Sequence, residues 1–272
     1  MPVWLNKYVV GQQFDSNNKL YGSFIVLNIN SSTDVDIKFI STGTIVKTVG
    51  RSLVKGQVKD PSVPVVFGVG YMGIGSYVTT GKYKKIYTAW VNMLGRCYDV
   101  KNKGYPAYGK KGYYVNSVWH NYQNYAHWYV SNVKEFKGLH IDKDILFKGN
   151  KEYGPDKCKF VPRYINTLLM LNESKRGIYP IGVQPPIWGV YYKAAMSDKH
   201  NLLGNANSCL GKYESPILAH SAWQTAKIKL IEASINRYAT EPWFDSHVAA
   251  ALLDRVWKIR MEQSNGLETT SL

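Results

Sequence analysis

Between His140 and Leu168 the chain carries side chains whose types and spacing could work on an anionic ester. LHIDKDILF (139–147) reads as a strand bearing acids, followed by a polar loop with Asn150. Lys157–Val161 reads as a second short strand, and RYINTLLMLNESKR (163–176) as a helix bearing Asn166. A carboxylate on the first strand, Asp142, and a carboxamide on the helix, Asn166, offer the hard oxygens that hold a divalent cation against a phosphodiester. His140 stands two residues before Asp142, hence on the same strand face, where an imidazole can take a proton from water. Lys143, next to Asp142, is a poor base when solvated. The plainer alternatives stay open. Asp142 and Asp144 around Lys143 also read as a salt-bridged exposed strand, and Asn166 as helix surface or a cap.

Such a unit needs positioning elements. Upstream, Ser23–Asn28, Asp34–Phe39 and Thr44–Val49 read as short strands between turns, a small β module. FGVGYMGIG (67–75) contains GxGxxG at Gly68, Gly70 and Gly73, but no helix opens on it and no acid follows at the spacing a dinucleotide site needs, so it reads as a turn. Residues 84–98 place Ile86, Trp90, Met93 and Cys97 at helical spacing, and 117–133 do so with Trp119, Tyr122, Tyr125, Ala126 and Tyr129. His120 and His127 beside tryptophans read as packing residues. After Gly177 come two or three short strands. Ser215-Pro216 then opens a helix with Leu218, Ala219, Ala222, Ala226, Leu230 and Ile231 on its apolar face. A last helix over 245–262 carries Val248, Leu252, Val256 and Ile259, and NGLETTSL reads as a disordered tail.

The chain has 272 residues and a net charge of +15; residues 81–176 hold 18 basic and 7 acidic side chains, so most of the excess sits there. Aromatic side chains interleave with Lys84, Lys85, Arg96, Lys110 and Lys111, a mixture suited to a nucleic-acid backbone. Hydrophobic content of 45% excludes a disordered chain, and no apolar run reaches the ~18 residues of a membrane span. No secretory signal is evident at the start. Cys97, Cys158 and Cys209 are scattered, which argues against disulfides and a cysteine zinc site; Cys97 and Cys158 read as small core residues.

YTAWVNMLGRCY, YPAYGKKGYYV, SVWHNYQNYAHWY, HIDKDIL and YGPDKCKFVPRYIN together resemble phage HNH (ββα-metal) endonucleases of the homing type. PIGVQPPIWGVYYKAA and SCLGKYESPILAHSAWQTAKIKLI resemble the Apetala/ethylene-response-factor DNA-binding domain, whose three-stranded sheet reads DNA and whose helix braces it. The resemblance implies an α+β chain: a β module over 1–80, an HNH-like nuclease domain over 81–176, the DNA-binding domain over 177–240, and a helix and tail over 241–272. It implies a single Mg²⁺ or Mn²⁺ held by Asp142 and Asn166, with Lys143 where the family has its general-base histidine and His140 as the substitute. The middle Asn of the motif falls near Lys157, with Asn150 as stand-in. Double-stranded DNA is the implied partner, held by the lysines and arginine above and by Lys193, with no membrane and no organic cofactor. The expected activity is metal-dependent endonuclease cleavage in the cytoplasm, that of an infected host if phage-encoded. The alternative is a catalytically inactive HNH-fold protein that binds DNA or a host protein.

Overall fold

The computed structural model describes residues 8–133, 138–170, 177–187, 189–204 and 209–272. Helix makes up 37% and strand 21%, in separate stretches, which places the chain in the α+β class. It folds as two compact units, residues 1–132 with 152–155, and residues 133–151 with 156–272. The division falls inside the segment read as a single nuclease domain, because the two parts of that segment join different cores.

The first unit opens with an antiparallel meander in the order β1 (Gln13–Asp15), β2 (Ser23–Ser31), β3 (Asp34–Phe39) and β4 (Ile45–Thr48), followed by the short helix α1 (Gly50–Val54). Alternation buries Phe24 and Val26 of β2 with Val35, Ile37 and Phe39 of β3, so one face carries a core and the other stays polar. A separate aromatic core follows. Helix α2 (Lys84–Tyr98) buries Ile86, Trp90, Met93, Leu94 and Cys97. The segment read as one helix over 117–133 is two. Ser117–His120 form a 3₁₀ turn, capped by Asn116 accepting from Val118 N–H; Asn121 is extended and bridges to Tyr71; α3 then runs Tyr122–Asn132. Trp119, Tyr122, Tyr125, Ala126 and Tyr129 are all buried, as their spacing requires. A two-residue strand, β5 (Tyr114–Val115), pairs in parallel with β7 (Glu152–Tyr153).

The glycine motif belongs to this packing. A Cβ on Gly70 would lie 2.5 Å from Leu94 Cδ1 and 3.0 Å from the Trp90 ring, and Gly73, at φ +68°, would collide with Asn121. The glycines let the chain cross α2 and α3 at close range.

The second unit holds an antiparallel pair, β6 (Leu139–Asp142) and β8 (Lys159–Pro162), followed by α4 (Arg163–Leu168). The first strand is shorter than 139–147. Asp142 accepts hydrogen bonds from the N–H groups of Asp144 and Ile145, which turns the chain and sends Ile145 into the core. The helix ends at Leu168, short of the expected 176; residues 171–176 lie outside the described residues. A three-stranded antiparallel sheet, β9 (Val183–Ile187), β10 (Tyr191–Ala195) and β11 (Cys209–Tyr213), has β10 at its centre and is backed by α5 (Pro216–Tyr238). Ser215 caps α5 by accepting from Leu218 N–H. Ala219, Leu230 and Ile231 are buried as read, whereas Leu218 is exposed and Trp223, Ile228 and Tyr238 fill the core instead.

Helix α6 (Ser246–Ser264) buries all four expected residues. Its cap, Asp245, accepts from the N–H groups of His247 and Val248 and from Lys159 Nζ at 2.7 Å. Burial would raise the Asp245 carboxyl, but these donors overcome it and hold the group below its usual range. The tail is not disordered. Thr269 is fully buried, its N–H donating to His220 Nε2 and its hydroxyl to Glu262, and Leu272 packs on the core of α4, α5 and α6. Cys97 and Cys158 are buried, as read; Cys209 is exposed.

One buried charge sets the end of α4. The Lys227 ammonium, from α5, donates to Leu168 O at 2.5 Å, and burial without a nearby carboxylate lowers it to about 8 from 10.5. Between those values the unfolded chain binds more protons than the folded one, so stability rises as pH climbs from 8 toward 10. Lys227→Met is expected to flatten that rise and to gain about 1–3 kcal/mol at pH 7, the ammonium's burial cost less one hydrogen bond. Denaturant unfolding of both proteins at pH 7 and 9.5 checks this.

Candidate functional site

His140, Asp142, Lys143, Asn150, Lys157 and Asn166 all lie in the second unit. Strands β6 and β8 pair with His140 opposite Val161 and Asp142 opposite Lys159, so His140 and Asp142 share a face. Helix α4 packs on both strands and is seated in the core by Tyr164, Ile165 and Leu168.

Asp142 spends one carboxylate oxygen, Oδ1, on the two backbone N–H groups of its turn, each at 2.8 Å. Oδ2 makes no hydrogen bond among the described residues. Burial pushes the carboxyl up and the Asp144 charge adds to this, while the two N–H groups and Lys143 hold it back. Asn166 is half-buried on α4, and its carboxamide likewise has no hydrogen-bond partner among the described residues. His140 is exposed and its ring is similarly unengaged. No hydrogen bond or ion pair joins these three to one another.

Lys143 points the other way. It is 4% exposed, its ammonium binds both oxygens of Asp144 at 2.6 Å and Asn150 O at 3.0 Å, and Asn150 Nδ2 returns a bond to Lys143 O. The residue in the base position is therefore a brace for the 143–150 loop. Lys157 stacks on Phe147 of the same loop, 4.2 Å from the ring centroid.

The fit to a divalent cation rests on unspent donors: Asp142 Oδ2 and the Asn166 carboxamide oxygen are of the type Mg²⁺ and Mn²⁺ prefer. Among the described residues no group of three or more His, Cys, Asp or Glu is gathered for a metal. A cation here would draw on one carboxylate, one carboxamide and water.

Three basic residues that no motif singles out stand beside this face. Arg255 of α6 lies within electrostatic reach of Asp142, and Lys148 within reach of both Arg255 and Lys258. Lys258 also pairs with Glu262 at 3.4 Å.

Of the residues read as DNA-binding, Lys84 and Lys85 are exposed in the first turn of α2, and Lys110 and Lys111 in the 3₁₀ turn Gly109–Lys111, all in the first unit. Arg96 is placed differently from a simple surface contact. Its guanidinium lies between the rings of Tyr108 and Tyr153, at 5.1 and 4.8 Å, with Nε buried and unpartnered. Lys193 faces away from α5, directly opposite Lys212 across the β10–β11 pair. Two like charges in that position repel, and an anionic partner on the open face would relieve them. His120 packs against Tyr98, as read, whereas His127 is exposed on α3, its Nδ1 3.2 Å from the Tyr77 hydroxyl.

No family model, no curated protein and no solved structure matches this chain. No helix among the described residues is long and apolar enough to cross a membrane.

Proposed function

We propose that this chain is a metal-dependent DNA endonuclease of the HNH type, nicking or cutting double-stranded DNA. The observation that carries the reading is the β6–β8–α4 unit, with a carboxylate oxygen of Asp142 and the carboxamide of Asn166, on adjoining elements, both without hydrogen-bond partners among the described residues. Asp142 and Asn166 would hold one Mg²⁺ or Mn²⁺. When bound, such a cation supplies positive charge to the phosphodiester and to the leaving 3′ oxygen. The backbone N–H groups of Asp144 and Ile145 fix the Asp142 carboxylate in one orientation. Lys227 anchors the end of the helix that carries Asn166. His140, exposed on the Asp142 face, accepts the proton from the attacking water at a ring nitrogen. The sheet β9–β10–β11, with Lys193 and Lys212 on its open face, would bind duplex DNA, and Lys84, Lys85, Lys110 and Lys111 of the first unit would also bind phosphate backbone.

A second reading has one observation in its favour. Lys143 is consumed by Asp144, so the position after Asp142 offers no base, as in a binding protein that keeps the architecture without the chemistry. Incubation with supercoiled DNA in Mg²⁺, Mn²⁺ or EDTA separates the two. The endonuclease yields nicked or linear DNA in the metal lanes alone. Intact supercoils on DNA from the gene's own neighbourhood, with DNA binding retained, establish the second reading.

A further inference from the structure

Beside the Asp142 face two ammonium groups of the second unit meet on neutral oxygens. The ammonium groups of Lys148 and Lys258 converge on a single oxygen, Ser271 Oγ, the Lys258 bond measuring 3.3 Å, and Lys258 also donates to Ser271 O at 2.6 Å. The half-buried Arg255, one turn before Lys258 on α6, donates to Ala251 O and faces Asp142 and Lys148. Glu262 lies 3.4 Å from Lys258 and also accepts from Thr269, while the charges of Asp254 and Asp142 act on Arg255. A hydroxyl and a carbonyl are weak answers to two ammonium groups. Each cation raises the cost of charging the next, and Lys148 accordingly falls to about 8, through desolvation first and then the nearby charges of Lys258 and Arg255. A ligand with several anionic oxygens satisfies such a group far better, through charge-assisted bonds.

We propose that Lys148, Arg255 and Lys258 form a phosphate-binding cluster that holds the DNA backbone next to Asp142, and that Ser271 occupies it when DNA is absent. The assignment of DNA as the ligand rests on the nuclease reading; the capacity for phosphate does not. Phosphate oxygens replace the two Ser271 oxygens on the ammonium groups, and the tail moves aside while Thr269 stays anchored. The cluster positions the backbone and takes no part in proton transfer.

The test compares the full chain with Lys148→Gln, Lys258→Gln and Ser271→Asp, and with Lys229→Gln, which removes an exposed charge elsewhere on α5. Binding of a labelled duplex is read in EDTA across a salt series, so it does not depend on cutting. Each cluster lysine variant is expected to bind roughly five- to tenfold more weakly at low salt, with the salt slope reduced by about one. Ser271→Asp, which places a carboxylate in the cluster, weakens binding similarly while leaving both lysines in place. Affinities and slopes equal to those of Lys229→Gln overturn the proposal. In a second arm inorganic phosphate is titrated while the side-chain ammonium resonances are followed by NMR. Shifts at Lys148 and Lys258, absent in Ser271→Asp, support the cluster even if the parent cuts nothing; unshifted resonances overturn it even if the parent is a nuclease.

Discussion

Asp142→Asn protein is expected to bind duplex DNA about as tightly as the parent and to cut it at least about a hundredfold more slowly. The substitution keeps the shape of the side chain and one oxygen to accept from the Asp144 and Ile145 N–H groups, so the turn after β6 survives. It removes the negative charge that makes Asp142 a ligand for a divalent cation, and losing Lewis-acid stabilisation of a phosphodiester costs several kcal/mol of barrier. Burial raises the Asp142 carboxyl in the free protein. Acid therefore competes with the cation at a higher pH than for an ordinary aspartate, and parental activity falls on the acid side accordingly. Gel assays of cutting and fluorescence assays of binding, run on the same preparations, read the two effects apart. Undiminished cutting by Asp142→Asn removes Asp142 from the site.

The largest effect on stability is expected in the first unit. Trp90 is fully buried, donates from Nε1 to Trp119 O at 2.7 Å, and packs against Tyr122 and Tyr87 at 5.4 and 5.9 Å between ring centroids. The Gly70 segment rests directly on its ring. Trp90→Ala leaves a cavity and an unpaired carbonyl in a core rich in aromatic rings, a loss of about 3–5 kcal/mol. Against the ~5–15 kcal/mol of an ordinary domain this is a large share. Near-UV circular dichroism and urea unfolding should show the first unit melting early while the second persists. A loss below about 1 kcal/mol contradicts this packing account.

Where periodicity was strong the elements were legible. The spacing of Ile86, Trp90, Met93 and Cys97 delimits α2, and Val248, Leu252, Val256 and Ile259 delimit the buried stripe of α6. The alternation in VDIKF gives β3. Side-chain capture of backbone hid the rest. Asp142 ends β6 early by taking two N–H groups, and Asn121, accepting from Gln123 N–H, interrupts an otherwise continuous helical pattern where the backbone bridges to Tyr71. The tail reads as disordered because NGLETTSL is short and polar, yet Thr269 finds His220, Gln224 and Glu262 only in the folded chain.

The candidate site was legible by residue type more than by role. Asp142 and Asn166 stand on adjoining elements, as their order along the chain suggested. Lys143 looked like a departure at a catalytic position, and its burial against Asp144 makes it a loop brace. Arg96 looked like one more surface cation, yet two tyrosine rings hold it. Arg255 acts on Asp142 from about a hundred residues further along the chain, a juxtaposition no local pattern encodes.

The most direct test of the central claim is to locate a paramagnetic ion in the parent protein by titrating Mn²⁺ and following backbone NMR resonances. Broadening that begins at Asp142, His140 and Asn166, and is lost from Asn166 in the Asp142→Asn protein, is the result expected. Broadening centred elsewhere, or none at millimolar Mn²⁺, contradicts the assignment of Asp142 and Asn166 as the metal-holding pair.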